Sequence, residues 1–195
     1  MKWIDFERQM KKKGIKLFTP LDVERFLGRS KVAVTFLLHR LKKQGYVQSV
    51  KRGLYKFSDE SIPDLYLANR LYEPSYISLE FALSYHRVIP ETVYAITSVT
   101  PKTTRQFEVL GRIYSYRKIK KSAFTGYRIE KQKGFSFQIA DPEKAFVDIN
   151  YLRMLGKLKP LSRYHKERID PAKALRYSLL FGNKKLISII KRTLQ

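Results

Sequence analysis

Residues 19–57 read TPLDVERFLGRSKVAVTFLLHRLKKQGYVQSVKRGLYKF, and this stretch begins with the signals of a short helix. Thr19 is a favourable helix cap, Pro20 is a favourable first helical residue, and Asp22 completes a capping-box pattern. Gly28 supplies the left-handed residue at which many helices end. The spacing therefore predicts a helix over Leu21–Leu27 that stops at Gly28.

A second and longer helix is predicted over Lys31–Lys43. Ser30 is suited to cap its first turn, and Gly45 is a typical C-terminal stop. The apolar residues of this helix follow the i, i+3, i+4, i+7 spacing of a single face, and they are Val34, Leu37, Leu38 and Leu41. We expect that face to pack on a core and the opposite face to meet a partner.

Two β-prone runs follow, over residues 46–50 and 54–57, and they flank a basic turn at residues 51–53. This pattern predicts a hairpin with a positively charged tip. A further helix is predicted over residues 2–12, and the apolar residues that it adds to the core are Trp3, Phe6 and Met10. Helices followed by such a hairpin are the layout of a winged helix-turn-helix, which we predict for residues 1–61.

This layout is suited to DNA, because a helix fits the major groove while nearby cations neutralise phosphates. Thr35, His39 and Arg40 lie opposite the apolar stripe and are candidates for contacts with base edges. The candidates for phosphate contacts are Lys31, Lys42, Lys43, Lys51 and Arg52. The full predicted DNA-binding set is Ser30, Lys31, Thr35, His39, Arg40, Lys42, Lys43, Lys51 and Arg52.

Val32 and Phe36 are apolar residues on the same face, and they leave two interpretations open. Both side chains are suited to contact thymine methyl groups, whereas Phe36 is equally suited to pack on a neighbouring domain. The whole module also has an alternative use in protein–protein contact. The basic tip of the hairpin argues against that alternative.

The composition favours an anionic partner. The 195 residues carry 40 Lys and Arg against 17 Asp and Glu, a net charge of +23, which favours nucleic acid first and an anionic membrane surface second. Apolar residues make up 44% of the chain, which is enough for a packed core. No apolar stretch has the length of a membrane span, no secretory signal is recognisable, and there is no Cys. We therefore expect a cytoplasmic protein without a membrane partner.

Residues 62–195 are predicted to form a larger α+β domain, which follows a polar, Pro-terminated joint at residues 58–63. Two helical patterns come first, and Ser78 is suited to cap the second, over Leu79–Arg87. The β-prone runs that follow are residues 92–99, 105–110, 112–118 and 135–139, and three helices close the chain after Asp141. The predicted fold class of the whole chain is therefore α+β. Its second domain should combine a small, mostly antiparallel sheet with C-terminal helices.

One group of residues has the composition of a metal-dependent nuclease site, namely Glu108, Asp141, Glu143 and Lys144. The simpler interpretation is a helix start, with Asp141 as N-cap and Glu143 in the first turn. The three His residues lack metal-ligand spacing, and no phosphate-binding loop or nucleophile motif occurs. We therefore predict no enzyme, no metal and no cofactor. The alternatives are metal-dependent processing of nucleic acid and a module that sequesters a partner protein.

A second nucleic-acid surface is suggested by Tyr residues that alternate with cations, because Tyr rings stack on unpaired bases. The candidate set is Arg112, Tyr114, Tyr116, Arg117, Lys118, Lys120 and Lys121. An ordinary half-exposed sheet with solvated Lys side chains is the alternative. Residues 157–195 form a further basic segment, with 11 basic and two acidic residues, and this predicted helical region would widen a DNA footprint.

Three further stretches have a distinctive sequence and spacing: YISLEFALSYH at residues 76–86, ITSVT at 96–100 and IADPEKA at 139–145. Together with residues 19–57, they resemble the AbiEi-type antitoxins of type IV toxin–antitoxin systems. The resemblance covers most of the chain from about residue 15 to about residue 155. The two later stretches are more specific than the helix-turn-helix, which many regulators share.

The resemblance implies a repressor that binds promoter repeats of its own operon, in double-stranded DNA, through the N-terminal domain. It also implies that the C-terminal domain counteracts a nucleotidyltransferase-like toxin without forming a stable complex with it. It does not make Asp141 or Glu143 catalytic.

Overall fold

The structure is a computed structural model that describes residues 2–158, 161 and 163–194. The chain divides between Ile62 and Pro63 into two compact units, called here the N-terminal unit and the C-terminal unit. Each unit combines helices with a β-sheet, so the chain has the predicted mixed α+β class.

The N-terminal unit contains three helices and a three-stranded sheet. Its elements are α1 (Trp3–Lys12), β1 (Leu17–Phe18), α2 (Pro20–Leu27), α3 (Lys31–Lys43), β2 (Val47–Lys51) and β3 (Leu54–Phe57). The sheet is antiparallel throughout, with the strand order β1-β3-β2. The three helices and the β2–β3 hairpin confirm the predicted elements. The two-residue strand β1 was not predicted, because so short a run has no period.

The predicted caps of α2 and α3 are confirmed. The Thr19 hydroxyl accepts a hydrogen bond from the Asp22 amide at 3.3 Å, and the Asp22 carboxylate accepts one from the Thr19 amide at 2.7 Å. Ser30 Oγ accepts a hydrogen bond from the Ala33 amide at 3.3 Å, and Gly28 ends α2 with a φ of 62°. These bonds fix the turn between α2 and α3.

The core of the N-terminal unit is built from one face of each helix and from the inner side of the sheet. The predicted stripe of α3 is buried, and Phe6 of α1 packs with Phe18 and Phe57 from the sheet. Trp3 and Met10 border the same cluster. The apolar residues therefore meet on one side of α3.

The C-terminal unit is built on a six-stranded sheet. Its elements are α4 (Asp64–Leu71), β4 (Tyr76–Ile77), α5 (Leu79–Tyr85), β5 (Ile96–Thr100), β6 (Arg105–Val109), β7 (Arg112–Lys118), β8 (Tyr127–Gln132), β9 (Phe135–Ala140), α6 (Pro142–Met154), α7 (Pro171–Leu179) and α8 (Lys184–Leu194). The strand order is β6-β7-β5-β4-β9-β8. Three of the five strand pairs are antiparallel, as predicted for most of the sheet, while β5–β7 and β4–β9 are parallel.

A buried ion pair lies where α6 meets the sheet. Lys144 and Asp148, one turn apart on α6, contact each other, and both side chains are fully buried. The Asp148 carboxylate also accepts hydrogen bonds from the Tyr76 hydroxyl at 3.0 Å and from Ser78 Oγ at 2.9 Å. Burial lowers the pKa of Lys144 and raises that of Asp148, because it penalises the charged form of each group.

This arrangement corrects one prediction. Ser78 stands at the N-cap position of α5, but its side chain makes no cap hydrogen bond there. Its hydroxyl instead donates to Asp148, so the residue joins α5 to α6 rather than stabilising the first turn of its own helix.

We predict that Lys144→Met lowers the free energy of unfolding of the C-terminal unit by about 3–5 kcal/mol, because Asp148 is left buried without its cation. Arg70→Met, which breaks the exposed pair with Glu73, should cost less than about 1 kcal/mol. Urea unfolding followed by circular dichroism measures both. The fluorescence of the single tryptophan, Trp3, reports on the N-terminal unit as an internal reference.

Replacing both partners, with Lys144→Met and Asp148→Leu together, should recover part of the loss, since no unpaired charge then remains. Equal costs for Lys144→Met and Arg70→Met would contradict this account of the pair.

Candidate nucleic-acid interface

The outer face of α3 is the most exposed helical surface of the N-terminal unit. α3 buries its four-residue stripe and exposes every other residue, and the exposed set is Lys31, Val32, Ala33, Thr35, Phe36, His39, Arg40, Lys42 and Lys43. All the residues of α3 that the sequence assigned to DNA are therefore accessible. The cap residue Ser30 is also exposed and lies at the start of the same helix.

The hairpin β2–β3 extends this basic surface. Its turn holds Arg52, which is exposed, and Gly53, whose φ of 76° is readily adopted by glycine. Lys51 is half-buried at the end of β2, where the register of the hairpin shifts. The hairpin tip thus presents cationic groups at an exposed turn.

Acidic side chains are excluded from this surface. The sequence has no Asp or Glu from residue 25 to residue 58, whereas it has nine Lys and Arg there. Within the described residues, no carboxylate forms an ion pair with Lys31, Arg40, Lys42, Lys43 or Arg52. These five cations of α3 and the hairpin turn therefore form a region of positive charge without acidic partners among the described residues, which favours a polyanion.

The carboxylates of the N-terminal unit lie elsewhere, and most of them have partners. Asp5 accepts a hydrogen bond from the Lys2 amide at 3.0 Å, Glu7 and Asp59 contact the Lys11 ammonium at 2.7 and 2.6 Å, and Glu60 contacts the Lys16 ammonium at 2.6 Å. The hydrogen bonds with Asp59 and Glu7 raise the pKa of Lys11 to about 12. This segregation sharpens the charge of the α3 face.

Thr35 is already hydrogen-bonded within its own helix. Its hydroxyl donates to the Lys31 carbonyl oxygen at 2.8 Å, so its side chain has a defined orientation on the exposed face. The one cation of the β3 strand, Lys56, is by contrast buried, and its ammonium donates to the carbonyl oxygens of Phe57 and Glu60 at 3.1 and 2.8 Å. Lys56 therefore belongs to the fold and not to the surface.

The predicted second nucleic-acid surface is wrong for its two aromatic residues. Tyr114 and Tyr116 are fully buried on β7, where their hydroxyls donate to Asp64 at 2.9 Å and to the Ala68 carbonyl oxygen at 2.6 Å. Rings in these positions are closed to unpaired bases. The strand alternation places both on one face, and the local charge gave no sign that this face was the inner one.

Two cations of the same set also have structural roles. Arg112 forms an ion pair with Asp64, and Lys120 donates to the Phe181 carbonyl oxygen at 2.7 Å, just beyond the C-terminal end of α7. Of the remaining members, Arg117 is half-buried, and Lys118 and Lys121 are exposed. The set therefore does not form the continuous aromatic and basic surface that the sequence suggested.

The basic C-terminal segment is only partly described. Lys159, Pro160, Ser162 and Gln195 lie outside the described residues. Within the described part, α8 exposes Lys184, Lys185, Lys191 and Arg192. The prediction of a basic helical region is thus confirmed for α8.

The residues of the nuclease alternative do not converge on one site. Glu108 is on the edge strand β6, which is four strand spacings, or about 19 Å, from β9, the strand that precedes Asp141. Asp141 and Glu143 share the Lys173 ammonium at 2.9 and 3.0 Å, while Lys144 is paired with Asp148. In the described parts of the chain, no three His, Asp or Glu side chains are grouped to hold a metal ion.

Asp141 also departs from its predicted role as a cap. It occupies the N-cap position of α6, but its side chain makes no cap hydrogen bond and instead accepts one from the Tyr177 hydroxyl at 2.8 Å. Burial tends to raise the pKa of Asp141, yet the Lys173 and Tyr177 hydrogen bonds outweigh it and the pKa is lowered. The carboxylate is therefore a charged link between α6 and α7.

The three stretches that carry the family resemblance meet in the centre of the C-terminal sheet. β4 pairs with β5 through Tyr76 and Val99, and with β9 through Ile77 and Ile139. His86 contacts the Ala140 carbonyl oxygen at 2.8 Å. These stretches are mostly buried, so they form the framework of the unit rather than an exposed binding site.

A comparison of this chain with protein-family models finds no match, and a comparison with curated proteins finds none either.

Among residues 2–158, 161 and 163–194, no helix combines the length and the apolar character that crossing a lipid bilayer requires.

We predict that acidification destabilises the C-terminal unit through His86. Burial lowers the pKa of His86 in the folded protein. As the pH drops below the unfolded value of about 6.5, the unfolded chain therefore binds a proton more readily than the folded one. The free energy of unfolding should decrease as the pH decreases. In urea unfolding at pH 7.5 and 5.5, the loss should be smaller for His86→Gln, whose amide still donates to Ala140. The exposed control His165→Gln should behave like wild type, and identical losses in all three proteins would contradict the prediction.

Proposed function

We propose that this chain is a DNA-binding transcriptional regulator whose N-terminal unit is a winged helix-turn-helix. The observation that carries the proposal is the exposed, acid-free basic face formed by α3 and the tip of the β2–β3 hairpin. In this reading α3 enters the major groove, α2 braces it, and the hairpin is the wing that contacts the backbone. The cap hydrogen bonds that fix the α2–α3 turn support such a rigid helix pair.

The mechanism divides the exposed residues into two groups. Lys31, Lys42, Lys43, Lys51 and Arg52 neutralise phosphates and supply most of the affinity. Thr35, His39 and Arg40 contact base edges and supply the preference for one sequence, while Ser30 stands beside them at the start of α3. The cations position the protein, and the polar residues select the site.

The second part of the proposal is that the chain is the antitoxin of a type IV toxin–antitoxin system and represses its own operon. It rests on the resemblance to AbiEi-type antitoxins in residues 19–57, 76–86, 96–100 and 139–145. In this proposal the operator consists of promoter repeats, and the C-terminal unit counteracts a nucleotidyltransferase-like toxin without a stable complex. The stretches 76–86, 96–100 and 139–145 are mostly buried, which supports the proposal that they form the framework of an antitoxin domain. In this proposal Asp141 and Glu143 have no catalytic role.

We predict that the full chain binds one duplex upstream of its own gene more tightly than random duplex. With about six phosphate contacts, a plot of log affinity against log salt concentration should have a slope of about −5. Arg52→Ala should weaken binding to both duplexes and reduce the slope by about one, whereas Thr35→Ala should reduce the specific-to-random ratio about three- to tenfold. Gel shifts at two salt concentrations measure these changes.

Arg8→Ala is the matched control, because Arg8 is an exposed cation on α1 and belongs neither to α3 nor to the hairpin. It should leave both affinities close to wild type. Equal effects of Arg8→Ala and Arg52→Ala, or equal losses on both duplexes for Thr35→Ala, would overturn the assigned roles. A chain that prefers no duplex but copurifies with a protein in high salt would support the protein–protein alternative.

We also predict that antitoxic activity survives loss of DNA binding. When the full chain is expressed from an independent promoter, wild type and Arg52→Ala should both restore growth to cells that produce the nucleotidyltransferase-like protein encoded beside its gene. The reason is that repression and protection belong to different units. Loss of protection in a folded Arg52→Ala protein would contradict this division, and failure of wild type to protect would overturn the antitoxin proposal.

A further inference from the structure

The centre of the exposed face of α3 is apolar in its first half. At 100° per residue, the four buried residues of α3 point in one mean direction, and the opposite direction marks the part of the helix that reaches furthest outward. Val32 lies about 10° and Phe36 about 30° from that outward direction. His39 and Lys43 continue the same line toward the C-terminal end. In the first half of α3, the two residues that point most directly outward are therefore apolar.

Both side chains are unusually accessible. Phe36 is 72% exposed and Val32 is 65% exposed, although full burial of such side chains is worth about 1.5–3 kcal/mol each. Apart from Ala33, the other exposed residues of α3 are polar or cationic. Lys31, Arg40 and Lys43 flank the apolar ridge that Val32 and Phe36 form, and no described carboxylate pairs with these cations. A partner that offers negative charge together with an apolar group therefore fits this ridge best.

Duplex DNA supplies that combination in its major groove. The phosphates provide the charge, and the only apolar group on the groove edges of the bases is the C5 methyl of thymine, against which Phe side chains pack. One helical turn separates Val32 from Phe36, a rise of about 6 Å, which is close to two base-pair steps of about 3.4 Å. The geometry of the ridge thus matches methyl groups about two base pairs apart.

We infer that Phe36 and Val32 are specificity-determining residues that pack on thymine methyl groups, so that the preferred duplex has thymines about two base pairs apart under the first half of α3. This inference rests on the proposed DNA-binding function and specifies what α3 selects. Phe36 contributes the larger contact, because its ring offers more apolar surface than the Val32 side chain. Thr35, His39 and Arg40 then select the hydrogen-bonding groups of the neighbouring bases.

The test removes single methyl groups from DNA. A duplex is first selected from a random-sequence pool by the full-length wild-type chain, and each thymine in it is then replaced by deoxyuridine, which lacks only the C5 methyl. At one or two positions the replacement should weaken wild-type binding about three- to tenfold in fluorescence anisotropy. At the position under Phe36, the same replacement should leave the affinity of Phe36→Ala unchanged.

Ile4→Ala is the matched control, because Ile4 is a 58% exposed apolar residue on α1 of the same unit. It should show the same sensitivity to deoxyuridine as wild type. Since Phe36 is exposed, Phe36→Ala should keep the circular dichroism spectrum and unfolding midpoint of wild type, so a change in its binding is not a folding defect.

The outcomes separate the inference from the proposed function. If the chain selects no sequence from the pool, the proposed function fails. If it selects one but no deoxyuridine weakens binding, or if the effect is the same in wild type and in Phe36→Ala, the thymine contact is overturned while DNA binding stands. A Phe36→Ala protein that binds DNA normally but changes its oligomeric state would assign the ridge to a second copy of the chain and overturn the inference.

Discussion

The candidate interface depends on the narrowness of the apolar contact that holds α3 in place. Four aliphatic residues on one stripe attach the helix to a core of aromatic rings from α1 and the sheet. A wider stripe would bind the helix more firmly, but it would also draw its flanks into the core. Because the stripe is narrow, nine of the 13 residues of α3 stay exposed, and packing in the core does not determine their types.

The C-terminal unit depends on a different kind of contact, a charge pair that water does not reach. Asp148 accepts hydrogen bonds from three side chains: Lys144 on its own helix, Tyr76 on β4 and Ser78 at the start of α5. Apolar side chains tolerate small shifts, whereas a buried carboxylate with three partners fixes the register of the elements that supply them. Tyr76 and Ser78 of stretch 76–86 and Lys144 of stretch 139–145 therefore meet at Asp148, which connects the two stretches.

The predicted contacts are confirmed where the signal is local and are wrong where a distant partner competes. Thr19 and Ser30 cap helices as predicted, because the groups that they bind lie within three residues. Ser78 and Asp141 stand at the predicted helix starts, but their side chains bind groups about 70 and 36 residues away, which no local pattern reveals. The two-residue strand β4 was missed for the same reason, since it pairs with β5 and β9, which lie far along the chain. The candidate site on α3 was accessible to prediction because one periodic stripe defines both of its faces, whereas the aromatic surface on β7 was assigned to the wrong side of its strand.

The hydrogen bond within α3 from the Thr35 hydroxyl to the Lys31 carbonyl oxygen limits the contacts that Thr35 can make with a base. A hydroxyl has one proton to give, and here the helix already holds it, so the oxygen faces outward with its lone pairs alone. In the proposed complex Thr35 is therefore an acceptor. It suits the amino groups of adenine and cytosine in the major groove and is mismatched to the carbonyl oxygens of guanine and thymine. The backbone of α3 thus makes Thr35 an acceptor, although a free Thr hydroxyl can serve equally as donor or acceptor.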